Sequence, residues 1–273
     1  MRYSPPLFGL AWGAVLAAQR RAALATLRLV LGPRRRVDEL RDLAAIFAKY
    51  AGCMTDALLL GSGRGYRIRS RVVGGHHWQA CQPMGHGLVM AAAHTAGWDI
   101  GGPALASLQD RPVMVVMEQE HDAQARALHD AARHRAGVQV LHAGTDPLAA
   151  LPLLHHLRRR QGVVAMKFDR LAPGMRARHA VLFGQPWRVP EGILRLGAVT
   201  QAPILPVFTR RLGFLDYQII ASPPILLPRR PDEAELDAAA QRLASLLERF
   251  ARAYPTDWFR FAPDPDDVPP PVH

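Results

Sequence analysis

Gly87-Leu88-Val89-Met90-Ala91-Ala92-Ala93, Pro112-Val113-Met114-Val115-Val116-Met117 and Gly162-Val163-Val164-Ala165-Met166-Lys167-Phe168 are the stretches that decide the fold. Each is of strand length and too continuously apolar for a strand with one wet face, as expected where both faces of a sheet are covered. Between them, Ala123 to Arg135 and Pro147 to Arg160 are rich in Ala, Leu and Arg and read as helices, and Val138 to His142 makes a further short strand. Alternation of strand and helix implies an α/β fold with a mainly parallel central sheet flanked by helices.

Outward from this centre the pattern continues. From Val37 to Leu60, apolar residues recur at steps of three and four with Asp38 placed to cap the start, which predicts an amphipathic helix. Tyr66 to Val73 alternates apolar and basic residues as a half-buried strand does, and Gly74-Gly75 ends it. Towards the C-terminus come a helix around Ile193 to Val199, a strand from Ile204 to Thr209, a strand from Tyr217 to Ala221 and a long amphipathic helix from Glu233 to Tyr254. After Ala262 the chain is rich in Pro and Asp and reads as a disordered tail. No internal repeat is present. The organisation is a helical segment at 1–36, one domain at 37–261 and a tail at 262–273.

Hydrophobic residues make up 49% of the 273 residues and charged residues 21%, enough to bury a core. Neither Cys53 nor Cys81 belongs to a C-x-x-C pair, so no disulfide framework or zinc site is indicated. The adjacent pairs His76-His77 and His155-His156 cannot face one way on a regular element, and no metal is expected. Lys and Arg number 34 against 23 acids, a net charge of +11. Such a surface attracts polyanions, but no basic run is interleaved with aromatics, so anionic lipid headgroups or an acidic carrier protein are preferred to nucleic acid. Leu7 to Ala18 is almost wholly apolar, includes Phe8 and Trp12, and is followed by Arg20 and Arg21. It is shorter than the roughly 20 residues that span a bilayer, leaving an interfacial membrane helix, a buried core helix or a cleaved signal.

One histidine stands where chemistry is useful. His94 follows the apolar run that ends at Ala93, at the carboxyl end of a strand, where ligands gather in open α/β sheets. Asp99 lies five residues on. Twelve histidines and 23 acids produce about one such spacing by chance, so the spacing carries nothing without its context. On a regular helix the two side chains would point about 140° apart, so they can meet only across a turn, which Gly97 permits. An aspartate bonded to one ring nitrogen would hold the imidazole in the tautomer whose other nitrogen takes a proton from a hydroxyl.

His94-Thr95-Ala96-Gly97-Trp98-Asp99 resembles the H-x4-[DE] block of the lysophospholipid acyltransferase superfamily, and within it the bacterial lipid A biosynthesis (late) acyltransferases. Lys167-Phe168-Asp169-Arg170, Val181-Leu182-Phe183-Gly184, Pro190-Glu191-Gly192 with Ala202-Pro203-Ile204-Leu205-Pro206-Val207, and Pro255-Thr256-Asp257-Trp258 resemble its later blocks, in order. The chain departs from the pattern where Asn is missing before Trp98, at Glu118-Gln119-Glu120-His121, and at Phe259-Arg260-Phe261. The resemblance implies an acyltransferase domain at 37–261. It implies direct transfer of an acyl group from an acyl thioester, on acyl carrier protein or coenzyme A, to a hydroxyl of a lipid or glycolipid such as a lipid A precursor. His94 would be general base and Asp99 its orienter, with no cofactor. Asp169, Arg170, Arg135, Gly192 and Arg195 would bind substrate, Arg170 foremost for a phosphate or developing charge. The acceptor could instead be a phosphoinositide mannoside, an ornithine lipid or a secondary metabolite, and a non-catalytic lipid-binding relative is the remaining alternative. The expected location is the cytoplasmic face of the inner (plasma) membrane, peripheral or monotopic.

Overall fold

The computed structural model describes residues 4–98, 111–118, 122–135, 137–143, 150–172 and 174–261. Asp99, the Gln119-Glu120-His121 stretch and the tail at 262–273 therefore lie outside the described residues. Helices α1 (Ser4–Val15), α2 (Ala17–Leu31) and α3 (Arg36–Gly61) open the chain, followed by β1 (Arg69–Val73), α4 (Gly75–Cys81) and β2 (Leu88–Ala92). Next come β3 (Val113–Glu118), α5 (Ala123–Arg135), β4 (Val138–Ala143), α6 (Ala150–Arg158) and β5 (Val163–Lys167). A hairpin of β6 (Ala177–Leu182) and β7 (Gln185–Pro190), helix α7 (Glu191–Thr200), strands β8 (Ile204–Gly213) and β9 (Asp216–Ala221) and helix α8 (Glu233–Ala253) complete it.

Seven strands form one sheet in the order β1-β9-β8-β2-β5-β3-β4. β8, β2, β5, β3 and β4 run parallel to their neighbours, while β9 pairs antiparallel with β8 and carries β1 with it in the opposite direction. The fold is thus a mainly parallel sheet between helices. The apolar strand runs read as covered on both faces because they are: Val89, Ala91 and Val164 pack into the core under α7 and α8, and Leu88, Met90, Val163 and Ala165 face the opposite cluster.

Local signals set the helix ends. α8 begins with a capping box in which the Asp232 side chain accepts from the Glu235 amide at 2.7 Å and the Glu235 side chain accepts from the Asp232 amide at 2.9 Å. In α3 the helix starts before Asp38, which sits in the first turn with Glu39 rather than at the cap. There the two carboxylates favour the positive end of the helix dipole. Pattern reading passes over the β6–β7 hairpin because its two-residue turn is Phe183-Gly184, both at positive φ (51° and 74°), instead of the usual Asn-Gly or Asp-Gly.

α1 lies against α3 through its two glycines. A Cβ on Gly9 would stand 2.4 Å from the Phe47 carbonyl oxygen, and one on Gly13 would stand 2.7 Å from the Phe47 ring. Only glycine admits so close an approach, and it turns the rest of α1 outward: Leu7, Phe8 and Val15 are 65%, 69% and 78% exposed. α2 contributes Ala23 and Leu27 to a core shared with Leu43, Ile46 and Phe47 of α3. Among the described residues α3 is the helix long and apolar enough to cross a membrane. It nevertheless holds a fully buried Asp56, whose carboxylate accepts from Arg211 Nε at 2.8 Å and from the Tyr217 hydroxyl at 2.7 Å, tying the helix to β8 and β9.

Candidate active site

The site grows from two neighbouring strand ends. β2 and β5 are paired in register, Ala92 opposite Lys167, so two residues further along each chain His94 comes beside Asp169. The Asp169 carboxylate is 1% exposed and accepts three hydrogen bonds. His94 Nδ1–H reaches Oδ1 at 2.8 Å, while the His94 backbone amide at 3.0 Å and Trp258 Nε1–H at 2.9 Å both reach Oδ2. His94 Nδ1 thus gives its hydrogen bond to Asp169, while the pairing with Asp99 anticipated from the sequence falls on a residue outside the described ones. Asp169, anticipated as a substrate contact, instead faces inward, because strand pairing places it behind the histidine.

The loop carrying His94 is pinned by the segment that ends in Trp258. The Phe259 amide donates to the His94 carbonyl and the Ala96 amide to the Asp257 carbonyl, both at 2.7 Å. Arg170 Nη2 donates to the Phe259 carbonyl at 2.6 Å, and Lys49 Nζ reaches Asp257 Oδ2 at 2.7 Å. Gly97 takes φ +92° directly over Tyr217, where a Cβ would stand 2.5 Å from the ring. The turn after His94 therefore has room for glycine alone.

Burial pushes the His94 imidazole down to about 4, outweighing the upward pull of Asp169. Burial alone would raise the Asp169 carboxyl, but the charge and hydrogen bonds of His94 hold it below the usual carboxylate range. The pair at neutral pH is a neutral histidine on a carboxylate. That arrangement keeps the proton on Nδ1 and leaves the Nε2 lone pair, which has no hydrogen-bond donor among the described residues.

His94 lines a cleft of about 680 Å³ outside the carboxyl ends of β3 and β5 and the start of α7. Its lining mixes apolar Val116, Met117, Met166, Leu171, Met175 and Ile193 with cationic Lys167, Arg170, Arg176 and Arg195, and Glu191 is the one acid among the described lining residues. Lys167 Nζ sits 3.0 Å from the centroid of the Trp98 ring, and Trp98 in turn meets His94 edge to face at 5.9 Å. Of the other anticipated residues, Gly192 lines the cleft with open space where a Cβ would stand. Arg195 lines it while donating to Glu191 at 2.6 Å. Arg135 ends α5, exposed, and is not among the described residues of the cleft. Sequence reading passed over Lys167 and Trp98 as site residues, although Lys167 directly precedes the Phe168-Asp169 strand end. Trp258 is buried, and its indole N–H is the third donor to Asp169. Among the described residues no group of three or more His, Cys, Asp or Glu gathers that could hold a metal ion.

Two Mycobacterium tuberculosis proteins described as phosphatidylinositol mannoside acyltransferase, from different strains, are each 26% identical to the chain over 204 residues, covering 72% of it and 60% of theirs. The chain thus aligns with about 60% of the length of these curated relatives. A solved structure described as the 1-acyl-sn-glycerophosphate (LPA) acyltransferase of Thermotoga maritima covers 93% of this chain and 98% of its own at 14% identity and a TM-score of 0.41. Residues 7–263 match the model of the family described as bacterial lipid A biosynthesis acyltransferase, and the chain belongs to that family.

Proposed function

We propose that the chain transfers a fatty acyl group from an acyl thioester, on acyl carrier protein or coenzyme A, to a hydroxyl of a glycolipid, with His94 as general base and Asp169 as its orienting carboxylate. The observation that carries this reading is the neutral His94 held from behind by buried Asp169 in a cleft lined by both apolar and basic side chains. The acceptor hydroxyl gives its proton to Nε2 as its oxygen attacks the thioester carbon. The tetrahedral intermediate collapses with expulsion of the thiolate, which recovers the proton from the imidazolium. Lys167 and Arg170, whose charges act on His94, stabilise the oxyanion. The acyl chain lies against the apolar side chains of the cleft, Met117, Met166 and Met175 among them, and a phosphorylated or sugar headgroup against its cationic ones. Names of the relatives favour a phosphoinositide mannoside acceptor and the name of the family a lipid A precursor; the cation-rich rim suits either.

The reaction belongs at a bilayer surface. α1 carries no charged residue and presents Leu7, Phe8 and Val15 to solvent, which supports an interfacial helix on the cytoplasmic leaflet, where the acyl thioesters are made. Purified protein given acyl thioester and either acceptor, with products read by mass spectrometry, tests the function. Acylated product is expected with wild type and none with folded His94→Ala; undiminished product from that variant refutes the mechanism.

A further inference from the structure

A second cavity, of about 570 Å³, lies between α2 and α3, away from the cleft. Its lining carries five guanidinium groups, Arg20, Arg21, Arg28, Arg34 and Arg36, the single carboxylate of Glu39, and Leu24, Leu40 and Leu43. Three of the five are already engaged. Arg28 makes a two-pronged bond to Glu39 at 2.7 and 2.8 Å, Arg34 pairs with Asp42, and Arg20 donates back to the Gly13 and Ala14 carbonyls at the end of α1. Arg21 and Arg36 are exposed and meet no acid among the described residues.

We infer that this cavity is a binding site for the phosphate headgroup of an anionic phospholipid. With five arginines to one acid in its lining the cavity is net positive and complementary to a phosphate, which guanidinium forks engage in pairs. The position points to a membrane lipid. Arg20 links the cavity to the end of α1, one turn from exposed Val15, so a headgroup in the cavity leaves its acyl chains beside the apolar surface of that helix. The three leucines suit the glycerol backbone. A nucleic acid would find no stacking aromatic among the described lining residues, and a free phosphate would not use the leucines.

The inference rests on the interfacial reading of α1. The test measures co-sedimentation of the full chain with vesicles of phosphatidylcholine alone and of equimolar phosphatidylcholine and phosphatidylglycerol, together with titration by soluble short-chain phosphatidylglycerol and by inorganic phosphate. Wild type is expected to prefer the anionic vesicles and to bind the short-chain lipid saturably, with inorganic phosphate a poor competitor. Arg21→Gln/Arg36→Gln is expected to lose the saturable binding and about ten-fold or more of the anionic preference while holding to neutral vesicles. The charge-matched exposed pair Arg229→Gln/Arg230→Gln is expected to keep both. Equal losses in the two double variants mean diffuse attraction and overturn the site, as does inorganic phosphate competing as well as the lipid. Wild type that binds no vesicle overturns the interfacial reading and this inference with it.

Discussion

Asp169→Asn probes the site at a single atom. The carboxylate serves three N–H donors, two on Oδ2 and one on Oδ1. An amide of the same shape has one accepting oxygen and must turn its NH2 towards a donor. With oxygen at the Oδ2 position it keeps the bonds from the His94 amide and Trp258 Nε1, and its NH2 confronts His94 Nδ1. Turned the other way it keeps one bond and leaves two buried donors unpaired, each costing about 1–3 kcal/mol. The first orientation, once Nδ1 accepts from that NH2, leaves no buried donor unpaired and wins by roughly two such costs. It forces Nδ1 to accept, moves the ring proton to Nε2, and removes the lone pair that the hydroxyl needs. The expected result is a fall in kcat of about 10²–10⁴-fold, as when a triad carboxylate becomes its amide, with KM almost unmoved because Asp169 meets the histidine and not the substrates. Thiol release from the acyl thioester gives the rate, and ¹⁵N NMR of the imidazole gives the tautomer, Nδ1–H in wild type and Nε2–H in the variant. A folded variant with wild-type kcat, or a wild-type ring protonated on Nε2, refutes the reasoning.

Stability should depend on pH through His94. Its folded-state value of about 4 lies below the ordinary 6.5, so between these limits the unfolded chain binds a proton that the folded chain does not. This contribution is complete above about pH 6.5 and is lost as pH falls towards 4, by up to about 3 kcal/mol; urea titrations of wild type and His94→Gln should show a flatter dependence in the variant. Gly97→Ala drives a methyl to 2.5 Å from the Tyr217 ring at φ +92°, and should cost about 1–3 kcal/mol and displace the His94 loop, which thermal melts and kcat will report together. Trp258→Phe removes one donor from the Asp169 carboxylate and should destabilise the fold by about 1.5–3 kcal/mol in the same titrations. Leu7→Ser/Phe8→Ser/Val15→Ser should weaken sedimentation with neutral vesicles without lowering the Tm, since these side chains are exposed in the folded chain; unchanged binding would remove α1 from the membrane contact.

The strand runs 87–93, 112–117 and 162–168 were legible because burial on both faces writes itself into composition locally, one residue after another. So was His94, standing where an apolar run stops. The partner of that histidine was not legible. Spacing along the chain offered Asp99, which lies outside the described residues; the hydrogen bond to Nδ1 is made by Asp169, 75 residues away, because β2 and β5 pair side by side with Ala92 opposite Lys167. Register between parallel strands depends on how the helices connecting them pack, and no short window of sequence contains it. The same holds for Trp258, brought to Asp169 from the segment that follows α8, and for the arginine-lined cavity, whose members meet only where α2 folds onto α3. Apolar character and turn chemistry belong to single residues and survive in the sequence; which side chains share a carboxylate is a property of distance in space, and only the packed chain decides it.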